Sequence, residues 1–324
     1  MASRFLISCA VASAMLFSAS GAMAQAVFGG SDAIGSIFDR QNKMFTELVN
    51  KKLDGKLKIN FIAGEQLGSD MQVIEQMMGD SVQLYGDDFS WYANWVKDFN
   101  IVSWGFLFRD IDHVKAYIDS PLFKKAAEEL RTKHNVRILA AAPGQARVLF
   151  ATKPIKGLAD LQGLKMRVPE IKTYLALWET LGTKPARVAW GETFLGLKTG
   201  VVEGAEGGIS SAYSAKFHEA AKNVIKTNHV IIIGHIACSD KWFQKQSPEV
   251  QKVLVEAAEE VMRWHTETVL KEQESLLADM EKSGATVRAI ETGPIQEKAV
   301  VAVDKLEAEG FWTKGLWKQI QDLK

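Results

Sequence analysis

Apolar residues change their spacing along this chain, and each change marks an element. The run AVFGG at 26–30 predicts a short strand ending in glycines. Ile34, Ile37, Phe38, Phe45, Leu48 and Val49 then recur mostly three or four apart, the spacing of one helical face, until Gly55 stops the pattern. LKINFIA (57–63) predicts a strand, GEQLGSD a loop, and MQVIEQMMG a helix with Val73, Ile74, Met77 and Met78 on one side. SVQLYG (81–86) predicts a third strand. Strands alternating with helices call for a parallel sheet covered by helices, with ligand loops at the carboxyl ends of the strands. Here those loops are 29–30, 64–68 and 86–91.

Further on, 121–134 predicts a helix and VRILAAA (136–142) a strand. Pro143-Gly144 predicts a hinge, because a glycine beside a proline lets the chain change direction. RVLFAT, LKMRV and ARVAW, with the helix IKTYLALWETLG between the last two, predict a second α/β unit. SAYSAKFHEAAKN predicts a helix, and TNHVIIIGHIACS a long buried strand returning to the first unit. From Pro248 to Ser283 no proline or glycine interrupts the chain, while Ser247 suits an N-cap and Gly284 a terminator. That helix is roughly 50 Å long at 1.5 Å per residue, enough to run along two domains. Its apolar stripe, Val250, Val253, Leu254, Ala257, Val261, Leu276, Leu277 and Met280, reads as core-facing, with a coiled-coil dimer seam as the alternative. The resulting expectation is an α/β fold of two domains, 25–144 plus about 238–270 and 145–237 plus about 271–324.

With 324 residues the chain can bury two cores. Lys plus Arg and Asp plus Glu are equal at 39 each, so no charge excess calls for nucleic acid or an anionic membrane. The first residues carry Arg4, an apolar stretch from Phe5 to Phe17 and the small-x-small site Ala22-Met23-Ala24, which predicts a cleaved export signal over 1–24. A lipoprotein would need Cys9 as its acylated residue, with too little chain before it. After cleavage only Cys238 remains, and no intrachain disulfide is expected.

Arg147 lies in ARVLFATKPI and Arg167 in GLKMRVPEI. A guanidinium in so apolar a run needs an anion, either an internal acid such as Glu170 or Glu206, or the carboxylate of a ligand. The sequence contains neither HExxH, P-loop nor GxGxxG, so no metal or cofactor is expected. His229 and His235 share one side of a strand but make a poor metal pair alone. Gly208-Ile209-Ser210-Ser211-Ala212 approximates a nucleophile elbow, for which Asp240 and His265 would have to complete a triad; capping of the next helix by Ser210 and Ser211 is the competing reading. Asp87 and Asp88 end a strand as a carboxylate pair, suited to a cation, to ligand hydroxyls or to a solvated turn. Trp190, Trp91 and Tyr92 stand beside loops, where an aromatic face fits a binding cleft.

GEQLGSDMQVIEQMMGDSVQLYG, FNIVSWGFLFRDIDH and above all KPIKGLADLQGLKMRVPEIKTYLALWETLGTKPARVAWGETFLGLKTGVVEGAEGG resemble, in order, segments of the DctP-type substrate-binding proteins of TRAP transporters. The TNH containing His229 also fits, whereas Gly105 stands where proline is usual. The resemblance covers nearly all of the chain after the signal. It implies a periplasmic binding protein-like fold, two α/β domains joined by a hinge around a cleft, with a long helix spanning both. It implies a monomer in the periplasm that delivers an organic acid to the membrane subunits of a transporter. Arg167 matches the arginine that grips the ligand carboxylate, Arg147 an assisting arginine, and Trp190 the aromatic of the cleft. Gly207 stands where the family commonly has an asparagine bonded to that carboxylate. Glu65, Asp88, Phe89, Trp91 and Ser210 complete the expected contacts. Sugar acids, dicarboxylates, oxo acids and aromatic carboxylates all remain open, as do an exported hydrolase using Ser210 and a ligand-binding subunit of a sensory receptor.

Overall fold

The computed structural model describes residues 24–324, and the expected export signal lies outside them apart from Ala24. Ten strands form one sheet: β1 (Ala24–Gly29), β2 (Leu57–Ile62), β3 (Leu84–Tyr85), β4 (Val136–Ala151), β5 (Lys165–Val168), β6 (Lys184–Arg187), β7 (Gly204–Gly208), β8 (Asn223–Lys226), β9 (Ile231–Ser239) and β10 (Thr286–Ala289). Their order is β2-β1-β3-β9-β4-β7-β5-β6, with β8 pairing both β4 and β10. β1 is parallel to β2 and β3, and β5 is parallel to β6 and β7, as two strand–helix alternations require.

β4 joins the two groups. Its first part pairs antiparallel with β9, from Val136 opposite Ser239 to Ala146 opposite Ile231. From Arg147 opposite Gly208 to Ala151 opposite Gly204 it pairs antiparallel with β7. The predicted hinge at Pro143-Gly144 is therefore not a break between strands. It is an irregularity in the β4–β9 ladder between Pro143 and Ala146, because proline has no N–H to give the ladder. A Cβ at Gly144 would stand 3.1 Å from His265 Nε2 and from the carbonyl of Ile232, so glycine serves close packing here.

Capping sets the helix limits. Ser36 accepts from Asp39 N at 3.1 Å before the helix Ile37–Lys52. Ser69 and Gln72 form a capping box before Asp70–Met78. Ser247 and Pro248 open the helix Pro248–Lys282, one residue from the expected end. Val250, Leu254, Ala257 and Val261 of this helix pack with Phe28, Leu57 and Ile59, whereas Leu277 and Met280 pack with Val148, Phe150 and Val224. It thus lies along both halves of the sheet, and the stripe considered as a dimer seam is core.

Three local expectations differ. SAYSAKFHEAAKN breaks at Lys216, whose φ of +62° ends one helix before the next begins at Phe217. ARVAW is only partly strand, since β6 stops at Arg187 and Trp190 starts the helix Trp190–Thr199. Residues assigned to the second domain at the C-terminus dock on the 98–113 segment instead: Trp104 Nε1 donates to the Ala299 carbonyl at 3.1 Å, and Arg109 to those of Gln321 and Leu323 at 2.9 and 2.8 Å. The apolar faces around Trp312 and Ile320 find their partners there.

Candidate ligand-binding site

The change of partner along β4 puts Arg147 at the start of the β4–β7 ladder, two residues along from the register position of Glu206. Arg147 donates through Nε and Nη2 to the Glu206 carboxylate, and through Nη1 to Asp88 Oδ2 at 2.7 Å. His229 Nε2 donates to the same glutamate at 3.3 Å, while its Nδ1 accepts from Thr227 at 2.8 Å. Burial alone would raise the Glu206 carboxyl, but Arg147 and His229 hold it down at about 2. Of the two readings for Arg147, the internal acid is the one observed, and it is Glu206 rather than Glu170.

Arg167 differs. It is 0% exposed on β5, and Nε donates to the Val188 carbonyl at 2.9 Å, yet neither terminal nitrogen has a partner among the described residues. Burial lowers its basicity to about 10, opposed by the charge of Glu206. Its guanidinium carbon lies 5.4 Å from the ring centroid of Trp190, which in turn packs on Phe217. A Cβ on Gly207 would be 3.0 Å from Trp190 Cη2, and one on Gly208 would collide with Gln145. The two glycines thus make room for neighbours.

Arg147 and Arg167 open onto one cavity, lined also by Asp32, Asp70, Asp87, Asp88, Ser90, Trp91, Trp190, Ser211 and the apolar Phe38, Pro169 and Ile232. Asp32 accepts from Ser211 Oγ at 2.6 Å and Ala33 N at 2.8 Å; Asp70 accepts from Tyr85 Oη at 2.6 Å; Asp87 accepts from Asp88 N at 2.6 Å. Burial pushes Asp32 up to about 6, Asp70 up to about 7 and Asp87 well above the ordinary carboxylate range. Asp32 and Asp70 were not expected. Asp70 is masked in the sequence by its place in a first helical turn, where an acid already has a reason to be.

Of the expected contacts, Arg167, Arg147, Asp88, Trp91 and Trp190 line the cavity. Phe89 does not: it is fully buried against Phe99, Phe123 and Tyr92. Glu65 lies outside the lining and accepts from Gly191 N at 3.1 Å, tying the loop after β2 to the start of the Trp190–Thr199 helix. Gly207 lies behind Trp190, and Gly208 faces the cavity instead. Ser210 is turned away; its Oγ accepts from Ile37 N at 3.0 Å, so it caps the other half of the molecule rather than its own helix. Nor is there a triad. Asp240 pairs with Arg131 and Arg137, and neither ring nitrogen of His265 has a partner among the described residues. His235 donates from Nδ1 to the Asp87 carbonyl at 2.7 Å and accepts from Tyr92 Oη at 2.9 Å, a structural role behind the acidic wall.

The family profile described as DctP, bacterial extracellular solute-binding protein family 7, matches residues 31–309. The chain is 24% identical to the sialic acid-binding periplasmic protein SiaP of Vibrio cholerae, over 83% of this chain and 84% of that one. It is 27% identical to the 2,3-diketo-L-gulonate-binding periplasmic protein YiaO of Escherichia coli, over 86% and 85%. A TRAP periplasmic solute-binding protein from Roseobacter denitrificans, solved with bound β-D-glucuronate, superposes with a TM-score of 0.87 at 25% identity, covering 93% of this chain and 100% of that one.

Proposed function

The chain belongs to the DctP family of bacterial extracellular solute-binding proteins, and from that premise we propose that it captures an organic acid in the cavity between the two halves of its sheet, with Arg167 as the carboxylate anchor. One observation carries the assignment of the anchor. A buried guanidinium whose two terminal nitrogens have no partner among the described residues is costly, and a carboxylate removes that cost through two charge-assisted hydrogen bonds. Arg147, already held by Glu206 and Asp88, supports the site as a fixed part of its wall.

The captured acid is released unchanged to the membrane subunits of a TRAP transporter, and the protein works as an exported periplasmic monomer. In support, the family is one of extracellular binding proteins, none of the helices in the described residues is long and apolar enough to cross a membrane, and residues 1–24 read as an export signal. Closure of the two halves, flexing where the β4–β9 ladder is irregular at Pro143–Ala146, would shield the ion pair from water and strengthen it. Mass spectrometry of ligand retained by the purified protein tests the reading: an acid recovered intact after long incubation is expected, and its conversion to product points to an enzyme instead.

A further inference from the structure

Resting on the reading that Arg167 holds a carboxylate, we propose that the indole N–H of Trp190 gives the same carboxylate a third hydrogen bond, so that Trp190 positions the bound acid through Nε1 as well as through its aromatic face.

Among the side chains that line the cavity, three buried polar atoms have no hydrogen-bond partner among the described residues: Arg167 Nη1, Arg167 Nη2 and Trp190 Nε1. All three are donors, and none can accept. A hydroxyl group has two acceptor lone pairs and a proton of its own, so it leaves at least one of the three donors unmet. An ionised carboxylate gives no proton and has about four acceptor sites on its two oxygens, enough for all of them.

The placement of the ring agrees. The Arg167 guanidinium carbon lies 5.4 Å from the Trp190 ring centroid, which puts the donors of both residues within reach of one bound group. The benzo edge of the indole is fixed, since a Cβ on Gly207 would come 3.0 Å from Cη2 and 3.2 Å from Cζ3, and the ring packs on Phe217 with centroids 4.6 Å apart. Nε1 lies across the indole from that edge. Packing alone accounts for an aromatic ring at this place. It does not account for a buried N–H, whose cost a phenylalanine would avoid and a bound acceptor removes.

A thermal-shift screen of D-glucuronate, succinate, pyruvate and benzoate on the native protein selects an acid, and titration calorimetry measures it. Trp190→Phe keeps a ring and removes the N–H, and should weaken that acid by about 10-fold, the loss of one hydrogen bond to a charged group. In the Gly207→Asn background, where the indole is already displaced, the same change should cost no further affinity. Indole N–H resonances of isotope-labelled native protein give a readout that packing does not move: adding the acid should shift one signal strongly downfield, as a charge-assisted hydrogen bond forms. Trp91 is the other tryptophan of the cavity, so the shifted signal should persist in Trp91→Phe and be missing from Trp190→Phe. Unchanged affinity in Trp190→Phe, no shifted signal, or a shifted signal lost in Trp91→Phe overturns the inference. Retention of affinity by Arg167→Ala, or failure of all four acids to bind, overturns the carboxylate anchor instead, so the two readings fail separately. If Trp190→Phe does not fold, the native and Trp91→Phe spectra still decide.

Discussion

Arg147 and Glu206 meet across neighbouring antiparallel strands, with two guanidinium nitrogens donating to one carboxylate. Both are buried, so the pair matters most when one member is lost. Glu206→Gln should cost roughly 3–5 kcal/mol, as breaking a buried pair usually does, measured by urea unfolding at pH 7. The Glu206 carboxyl lies at about 2, below its ordinary value of 4.5, held there by Arg147 and His229. Its contribution is thus complete above pH 4.5 and lost as the pH falls toward 2. The gap between native and variant should narrow across that window, and a gap that stays constant from pH 6 to 3 contradicts the assignment.

Arg167 should show the opposite balance between stability and binding. Its terminal nitrogens are buried and have no partner among the described residues, so in the ligand-free protein Arg167→Met removes a cost while keeping most of the volume. The ligand-free variant should melt at or above the native temperature. Its affinity for the bound acid should fall by about 100-fold or more, since two charge-assisted hydrogen bonds go. A large drop in melting temperature of the ligand-free variant would mark Arg167 as structural.

The acidic wall makes a pH prediction of reversed sign. Asp70 is raised by burial from 3.8 to about 7, with Tyr85 donating to it and with Asp32 and Glu65 adding like charge. A carboxyl raised on folding contributes fully below its unfolded value, and that contribution is lost as the pH rises through the folded one. The ligand-free protein should therefore lose stability between about pH 4 and pH 7, and Asp70→Asn should flatten that part of the profile. Equal slopes in native and variant proteins would remove Asp70 as the cause.

Gly207 tests the arginine end of the cavity. An asparagine there would place Cβ 3.0 Å from Trp190 Cη2, part of a rigid ring already packed on Phe217. Gly207→Asn should shift Trp190, change tryptophan emission and weaken binding. Adding Trp190→Phe should restore part of the loss, because the smaller ring makes room. Independent, additive effects of the two substitutions would show that the residues do not compete for one space.

Much of this was readable along the chain, for reasons that differ by residue. Ser247, Pro248 and Gly284 fix both ends of the long helix locally, so its limits could be read directly. Arg147 and Arg167 stand out because a cation in an apolar strand has few explanations. Which of them is internally paired depends on β4 lying against β7, a contact between residues 59 apart in sequence that no local pattern encodes. Phe89 shares a turn with Asp88 and Trp91, and only the folded direction of that turn separates the buried ring from the cavity wall. Asp32 and Asp70 look like ordinary loop and helix-start acids until the sheet brings them together.

Glu65 was expected to touch the ligand, and its carboxylate instead accepts from Gly191 N at 3.1 Å, across from the loop after β2 to the helix behind the cavity. The loop is shaped for that contact. Gly64 and Glu65 both have positive φ, 67° and 58°, a conformation that costs a glutamate more than a glycine. A Cβ at Gly191 would stand 2.1 Å from Glu65 Oε2, so a larger residue there would displace the carboxylate from this contact. A contact that only fastens the two halves changes the closing equilibrium and so scales every ligand alike, whereas a contact to the ligand discriminates among ligands. Glu65→Ala should weaken all bound acids by one common factor, about 3- to 10-fold for a single hydrogen bond. Calorimetry on two acids of different length separates the cases: equal ratios of native to variant affinity identify a fastening, and ratios that differ by more than that factor put the Glu65 carboxylate on the ligand after all.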